Sequence, residues 1–167
     1  MGTVERHIDA PVDAVASVLA DPRTYDGVVV GSRRIRWFDA RWPAEGSSFH
    51  HHVGFGPVAI RDRTTVLADE LPHWLRLAAG LGPLGSADVT FTLEPDGDGT
   101  RVEMREEGRS GVLATLWSPP VDALTRARNV VALGRLSDLA RARHRTRTLD
   151  ERAAGRAATG TTGGRGT

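Results

Sequence analysis

Between residues 32 and 108 the chain alternates apolar and polar side chains with a period of two. Turn-forming clusters break this alternation at short intervals. They are Trp42-Pro43-Ala44-Glu45-Gly46, Gly54-Phe55-Gly56-Pro57, Asp69-Glu70-Leu71-Pro72, Gly80 to Gly85, and Pro95-Asp96-Gly97-Asp98-Gly99. Parallel strands need a crossover of about a dozen residues or more, and none of these breaks is long enough. The pattern predicts an antiparallel meander with strands at about 32–39, 47–53, 58–68, 73–80, 87–94 and 101–108.

The flanks complete the layout. Val4 to Ile8 reads as one further strand. Asp9 is a candidate N-cap, Pro11 starts a helix where proline is tolerated, and Val12, Val15, Ala16 and Leu19 share one face of it. Asp21-Pro22 starts a second short helix through Tyr25, which Gly27 ends. After Ser118-Pro119-Pro120, a long helix is expected from Val121 to about Arg143. Its apolar stripe is Val121, Leu124, Val131, Ala132, Leu136 and Leu139, with Arg128 near the middle and Arg135 toward the edge. One strand, two short helices, six strands and a long helix make an α+β fold, a sheet curled about one helix.

Register follows from requiring apolar residues to share a face. Suitable pairs are Trp37 with Phe49, His51 with Ile60, Val66 with Leu75, Leu77 with Phe91, and Leu93 with Val102. One inward row then reads Trp37, Phe49, Asp62, Ala79, Val89, Glu106. The solvated face carries Arg61, Arg63, Arg76, Arg101, Glu103 and Arg105.

Composition narrows the chemistry. The 167 residues suit one domain with a real core. There is no cysteine, hence no disulfide, thiolate nucleophile or cysteine zinc site. All 22 basic residues are arginine, which removes a Schiff-base or Walker lysine. Residues 1–143 hold 17 arginines and 19 acids, so no clustered positive charge marks nucleic acid as the partner. Residues 144–167 hold five arginines and two acids, lack large apolar clusters, and are expected to form a disordered basic Gly/Thr/Ala-rich tail. No stretch reaches the length and apolarity of a membrane span. Charges at Glu5, Arg6 and Asp9 argue against a signal peptide, and the expected location is cytoplasmic.

Three segments carry a resemblance. They are Val4-Glu5-Arg6-His7-Ile8-Asp9-Ala10-Pro11-Val12-Asp13-Ala14-Val15, Asp21-Pro22-Arg23-Thr24-Tyr25, and Gly99-Thr100-Arg101-Val102-Glu103-Met104. Together they resemble the START-like, Bet v 1-like (SRPBCC) superfamily, in its bacterial polyketide cyclase/dehydrase-like subgroup, over residues 3–143. The resemblance implies a helix-grip fold: a seven-stranded curved antiparallel sheet wrapped around a long C-terminal helix, with two short helices after the first strand. It also implies a cavity between sheet and helix for lipids, polyketides or other apolar ligands. It brings no invariant catalytic motif.

The candidate site residues follow from the pattern. Asp62 and Glu106 interrupt apolar inward faces, and Arg128 on the helix stripe is their expected partner, because a buried carboxylate is costly unless paired. His51 points inward and is a candidate acid/base or hydrogen-bonding group. Trp37, Phe49, Leu77, Phe91 and Met104 are candidate cavity walls, or plain core. Trp74 and Trp42 are expected outside or on loops. His50 and His52 face outward without a third ligand, so no metal site is expected, and no cofactor. The apolar run 112–117 reads as core, cavity gate or homodimer patch. The leading functional reading is a binding or carrier protein for an apolar or amphipathic small molecule, lipid or polyketide-like. The alternative is a polyketide cyclase/aromatase or dehydratase with Asp62, Glu106 or His51 in catalytic roles.

Overall fold

The computed structural model describes residues 2–30, 32–55, 58–80, 85–111 and 119–160. Strand β1 (Gly2–Ile8) leads into helix α1 (Val12–Leu19), a 3-10 turn (Pro22–Thr24) and the one-turn helix α2 (Tyr25–Val28). Strands β2 (Ser32–Phe38), β3 (Ser48–Phe55), β4 (Val58–Glu70), β5 (Trp74–Gly80), β6 (Ser86–Asp96) and β7 (Gly99–Ser110) follow, and then the long helix α3 (Pro119–Gly160). All seven strands form one antiparallel sheet in the order β1-β7-β6-β5-β4-β3-β2, wrapped about α3. This is the helix-grip α+β arrangement. Ile8, Leu19, Phe49, Leu75, Leu93, Leu133 and Leu136 are fully buried between the layers.

Local chemistry explains the entry into the fold. Pro11, not Asp9, occupies the N-cap of α1, in extended geometry. Asp9 instead lies 3.8 Å from Arg141 on α3. Asp21 caps the 3-10 turn by accepting from the Arg23 amide at 3.0 Å. The carbonyl of Leu19, an orphan acceptor at the end of α1, takes both the Tyr25 hydroxyl at 3.0 Å and the Trp42 indole N–H at 3.2 Å. Trp42 therefore lies on a loop, one of its two expected places, yet is buried in the core. Its ring packs edge-on to Tyr25 and Phe49. Gly27 lies within α2 rather than ending it.

The β6–β7 hairpin has the expected register, with Leu93 opposite Val102, Phe91 opposite Met104 and Val89 opposite Glu106. Its two-residue turn places Gly97 at φ +60°, the conformation a type II′ turn requires at its first central position. The next three hairpins are displaced by two residues from expectation. His51 faces Asp62, Val66 faces Leu77, and Leu77 faces Val89. A two-residue slip keeps every side chain on its face, so the burial pattern cannot detect it. The β2–β3 pair keeps the expected register at Arg34 and Ile35 and shifts by one across a bulge between Ile35 and Trp37. Phe38 takes the position opposite Phe49, and Trp37 turns outward to face His50, 54% exposed.

Helix α3 buries Asn129, Ala132, Leu133, Leu136, Ser137 and Ala140, a continuous stripe at helical spacing. The expected stripe was rotated too far. Leu124 and Val131 are 73% and 47% exposed, and Leu139 is half-buried. The helix also continues past Arg143 to Gly160. Residues 144–160 are rich in Arg and Ala, which favour helix without any need for burial. The Val121 side chain, the run 112–117, residues 56–57 and 81–84 of two turns, and the end of the tail from 161 lie outside the described residues. Leu136→Ala should lower unfolding free energy by about 2–5 kcal/mol, the range for a buried leucine. Leu124→Ala should change it by less than about 0.5 kcal/mol. Equal losses in urea titrations would contradict this helix orientation.

Candidate functional site

A cavity of about 80 Å³ lies between the sheet and α3. The sheet supplies Leu77, Ala79, Val89, Phe91 and Met104, which are inward residues of β5, β6 and β7. Val28, Val29 and Val30, at and after the end of α2, form a second wall, and Ala132 of α3 a third. Polar groups enter at two places: His51 and Thr64 on one side, Arg128 and Asn129 on the other.

The second place is built around Glu106. Strict alternation along β7 turns this carboxylate inward, where it is 3% exposed. Nη2 of Arg128 donates directly to Glu106 Oε2. The guanidinium also approaches Asn129 Oδ1 at 3.3 and 3.4 Å. The Arg128 side chain remains 30% exposed, so its charge is partly hydrated while its partner is dry. Asn129 is fully buried, and its Nδ2 donor has no hydrogen-bond partner among the described residues. The pair cancels in charge, and a neutral N–H donor is left at the cavity wall.

On the opposite side His51 is 4% exposed and stacks edge-on with Phe49, centroids 5.1 Å apart. Its Nε2 lies 3.5 Å from Thr64 Oγ1. Burial pushes the imidazole below its ordinary value of 6.5, against the opposing pull of the Asp62 charge. Asp62 sits opposite His51 on β4 at the rim and is half-buried. It folds back so that Oδ1 accepts from the Arg63 amide at 2.7 Å, and it occupies the space that a Cβ at Gly80 would need. Burial raises its carboxyl above the ordinary 3.8. Oδ2 is buried without a hydrogen bond among the described residues. Burial likewise pushes the Tyr25 phenol up.

Of the residues singled out in the sequence, His51, Leu77, Phe91, Met104 and Arg128 line the cavity. Glu106 lies behind Arg128 rather than on the wall. Phe49 is a core residue buried between Tyr25, Trp42 and His51. Trp37 is removed from the cavity by the β2 bulge, and Asp62 does not meet Arg128. Sequence reasoning missed Asn129, Thr64, Tyr25 and the valines after α2. For Asn129 a signal existed, because it shares helical phase with Leu133, Leu136 and Ala140. The three adjacent histidines separate by strand alternation: His51 inward, His50 exposed and His52 half-buried.

Comparison with known proteins places this geometry. The solved structures most like it include a protein from Thermus thermophilus, with a TM-score of 0.64 and 20% identity over 84% of this chain and 97% of that one. A protein from Mesorhizobium loti has a TM-score of 0.62 and 21% identity, covering 82% and 93%. CalU16 from Micromonospora echinospora has a TM-score of 0.57 and 21% identity, covering 83% of this chain and 64% of that one. At such identities these establish the fold alone. No curated protein sequence matches significantly. The family model described as polyketide cyclase / dehydrase and lipid transport matches residues 2–141, which span all seven strands and the part of α3 that packs on them, and the chain belongs to that family.

Proposed function

We propose that the protein binds or carries a small, mainly apolar molecule, lipid or polyketide-like, whose one polar anchor is a neutral acceptor oxygen such as a carbonyl. The observation that carries this reading is Asn129 Nδ2, a buried donor without a partner at the wall of an otherwise apolar cavity. A buried unsatisfied donor costs about 1–3 kcal/mol, which an acceptor on a ligand would return. Because Glu106 already neutralises Arg128, a carboxylate ligand would find no spare positive charge there. The cavity is smaller than the void of about 150 Å³ that takes a benzene, so a larger ligand must displace part of its wall. The Val28–Val30 wall is the one built neither from the sheet nor from α3.

A second reading, cyclase or dehydratase chemistry, is favoured by one observation. His51 and Asp62 are opposed on neighbouring strands, and burial drives both toward their neutral forms. Such a pairing could supply a base and an acid. DynU16, a protein of the dynemicin biosynthetic locus, shares the fold at a TM-score of 0.58 and 20% identity, with this chain spanning 45% of it. In this reading His51→Gln would retain the ligand and abolish its conversion.

Native mass spectrometry of freshly purified protein would identify a co-purifying ligand, and dye displacement would rank neutral ketones against fatty acids. Asn129→Leu should weaken ketone binding about tenfold, the equivalent of one hydrogen bond. It should shift unfolding by less than about 1 kcal/mol, because the orphan donor disappears together with its weak acceptor role. Undiminished ketone affinity would contradict the proposed anchor.

The pH dependence has a defined sign. His51 in the folded protein holds its proton less firmly than the ordinary 6.5 of the unfolded chain. Its contribution is therefore complete above that value and is lost as pH falls toward the lower folded value. Asp62 works oppositely: its raised carboxyl regains stability as pH falls toward 3.8. Urea titrations at pH 7.5 and 5.5 should show a loss on acidification that His51→Phe reduces. Parallel profiles for the two proteins would mean that His51 is not buried neutral.

A further inference from the structure

The outer face of the sheet divides into two halves that differ in charge pairing. On β5, β6 and β7 the arginines are matched. Arg76 and Arg109 both bond Asp88, Arg101 bonds Glu94, and Arg105 bonds Glu107. On β2 and β4, Arg36, Arg61 and Arg63 are exposed, and none forms an ion pair among the described residues. Between them, β3 places His50 opposite Arg63 and half-buried His52 opposite Arg61. The β2 bulge adds Trp37, more than half open to solvent, its ring edge-on to His50 at 5.3 Å. Asp62 is the one carboxylate among the described residues lining the depression shared by Arg36, Trp37, His50, His51, His52 and Arg61. An unpaired cationic field beside an exposed indole has no structural task inside the fold.

We propose that this β2–β4 face docks on an anionic lipid bilayer, with Arg36, Arg61 and Arg63 over headgroup phosphates and Trp37 at headgroup level. The proposal rests on the carrier reading only in that a carrier of membrane-soluble cargo must meet a bilayer. Indole rings favour the membrane interface, where one side is apolar and the other wet. Single-stranded nucleic acid would instead call for a basic groove with several aromatic platforms, and the described residues of this face present one exposed aromatic ring, Trp37. Each arginine near an anionic leaflet contributes about fivefold to binding, so three give on the order of a hundredfold. That magnitude suits repeated visits rather than anchoring.

Sedimentation with vesicles of phosphatidylcholine alone, or with one third phosphatidylglycerol, tests the docking. The protein should pellet with the anionic vesicles at low salt, stay in solution with the neutral ones, and be released at high salt. Arg61→Gln combined with Arg63→Gln should weaken binding about thirtyfold, and Trp37→Ala should weaken it further. Arg101→Gln combined with Arg105→Gln, on the matched half, should leave it within twofold. All these positions are exposed, and thermal melting confirms that each variant is folded. Three outcomes would overturn the proposal: no pelleting with anionic vesicles, pelleting that the β4 variants do not reduce, or variant-sensitive binding to oligothymidylate without binding to vesicles. Ketone affinity of the cavity is measured on the same variants. Absence of docking by the unaltered protein with that affinity intact defeats this proposal alone, and absent affinity in the unaltered protein and every variant defeats the carrier reading instead.

Discussion

The pairing of Glu106 with Arg128 is the constraint on which the arrangement of helix and sheet depends. Alternation along β7 gives Glu106 no outward alternative, since Met104 and Val102 share its face in the core. A carboxylate this dry costs several kcal/mol unless a cation meets it. Arg128 lies one residue before the buried stripe of α3, so its guanidinium reaches the sheet only if Asn129 faces the cavity. The rotation of the helix, the neutrality of the cavity's polar end and the orphan donor of Asn129 thus share one cause.

The other side of the cavity is held by aromatic packing. Tyr25 and Trp42 both end on the Leu19 carbonyl, so the last turn of α1 is capped by two rings rather than by a glycine motif. Those rings clamp Phe49, and Phe49 in turn meets His51. Burial by this stack lowers the pKa of the imidazole from its ordinary value, while Thr64 lies within hydrogen-bond reach. The site has one charge-neutral ionic corner and one buried imidazole, with apolar walls between them.

The fold was legible because a period of two, interrupted by short turns, leaves little choice but a meander. Register was legible only for β6–β7, where Gly97-Asp98 sets a two-residue turn. Elsewhere a slip of two leaves the inward and outward pattern unchanged. The bulge that expels Trp37 leaves no mark in composition. Glu106 and Arg128 stand out because each breaks an apolar series, and Asp62 does so too, but its strand position takes it to the rim beside His51 rather than to Arg128. Asn129 is hidden from a stripe centred on Leu124 and Val131, because α3 turns those two residues to solvent. The tail illustrates a different limit, since a shortage of large apolar residues, Leu149 alone, argues against burial but not against helix.

A double-mutant cycle across the ionic corner tests the account most directly. Arg128→Met alone should cost about 2–3 kcal/mol, somewhat below the about 3–5 expected of a fully buried pair because the guanidinium is partly hydrated. Adding Glu106→Leu should restore most of that loss, because no buried charge is then left unpaired. A coupling above about 1.5 kcal/mol, with the double variant near wild-type stability, is the predicted result. Additive losses would contradict the account, because Glu106 and Arg128 would then contribute separately and the orientation of α3 would need another cause.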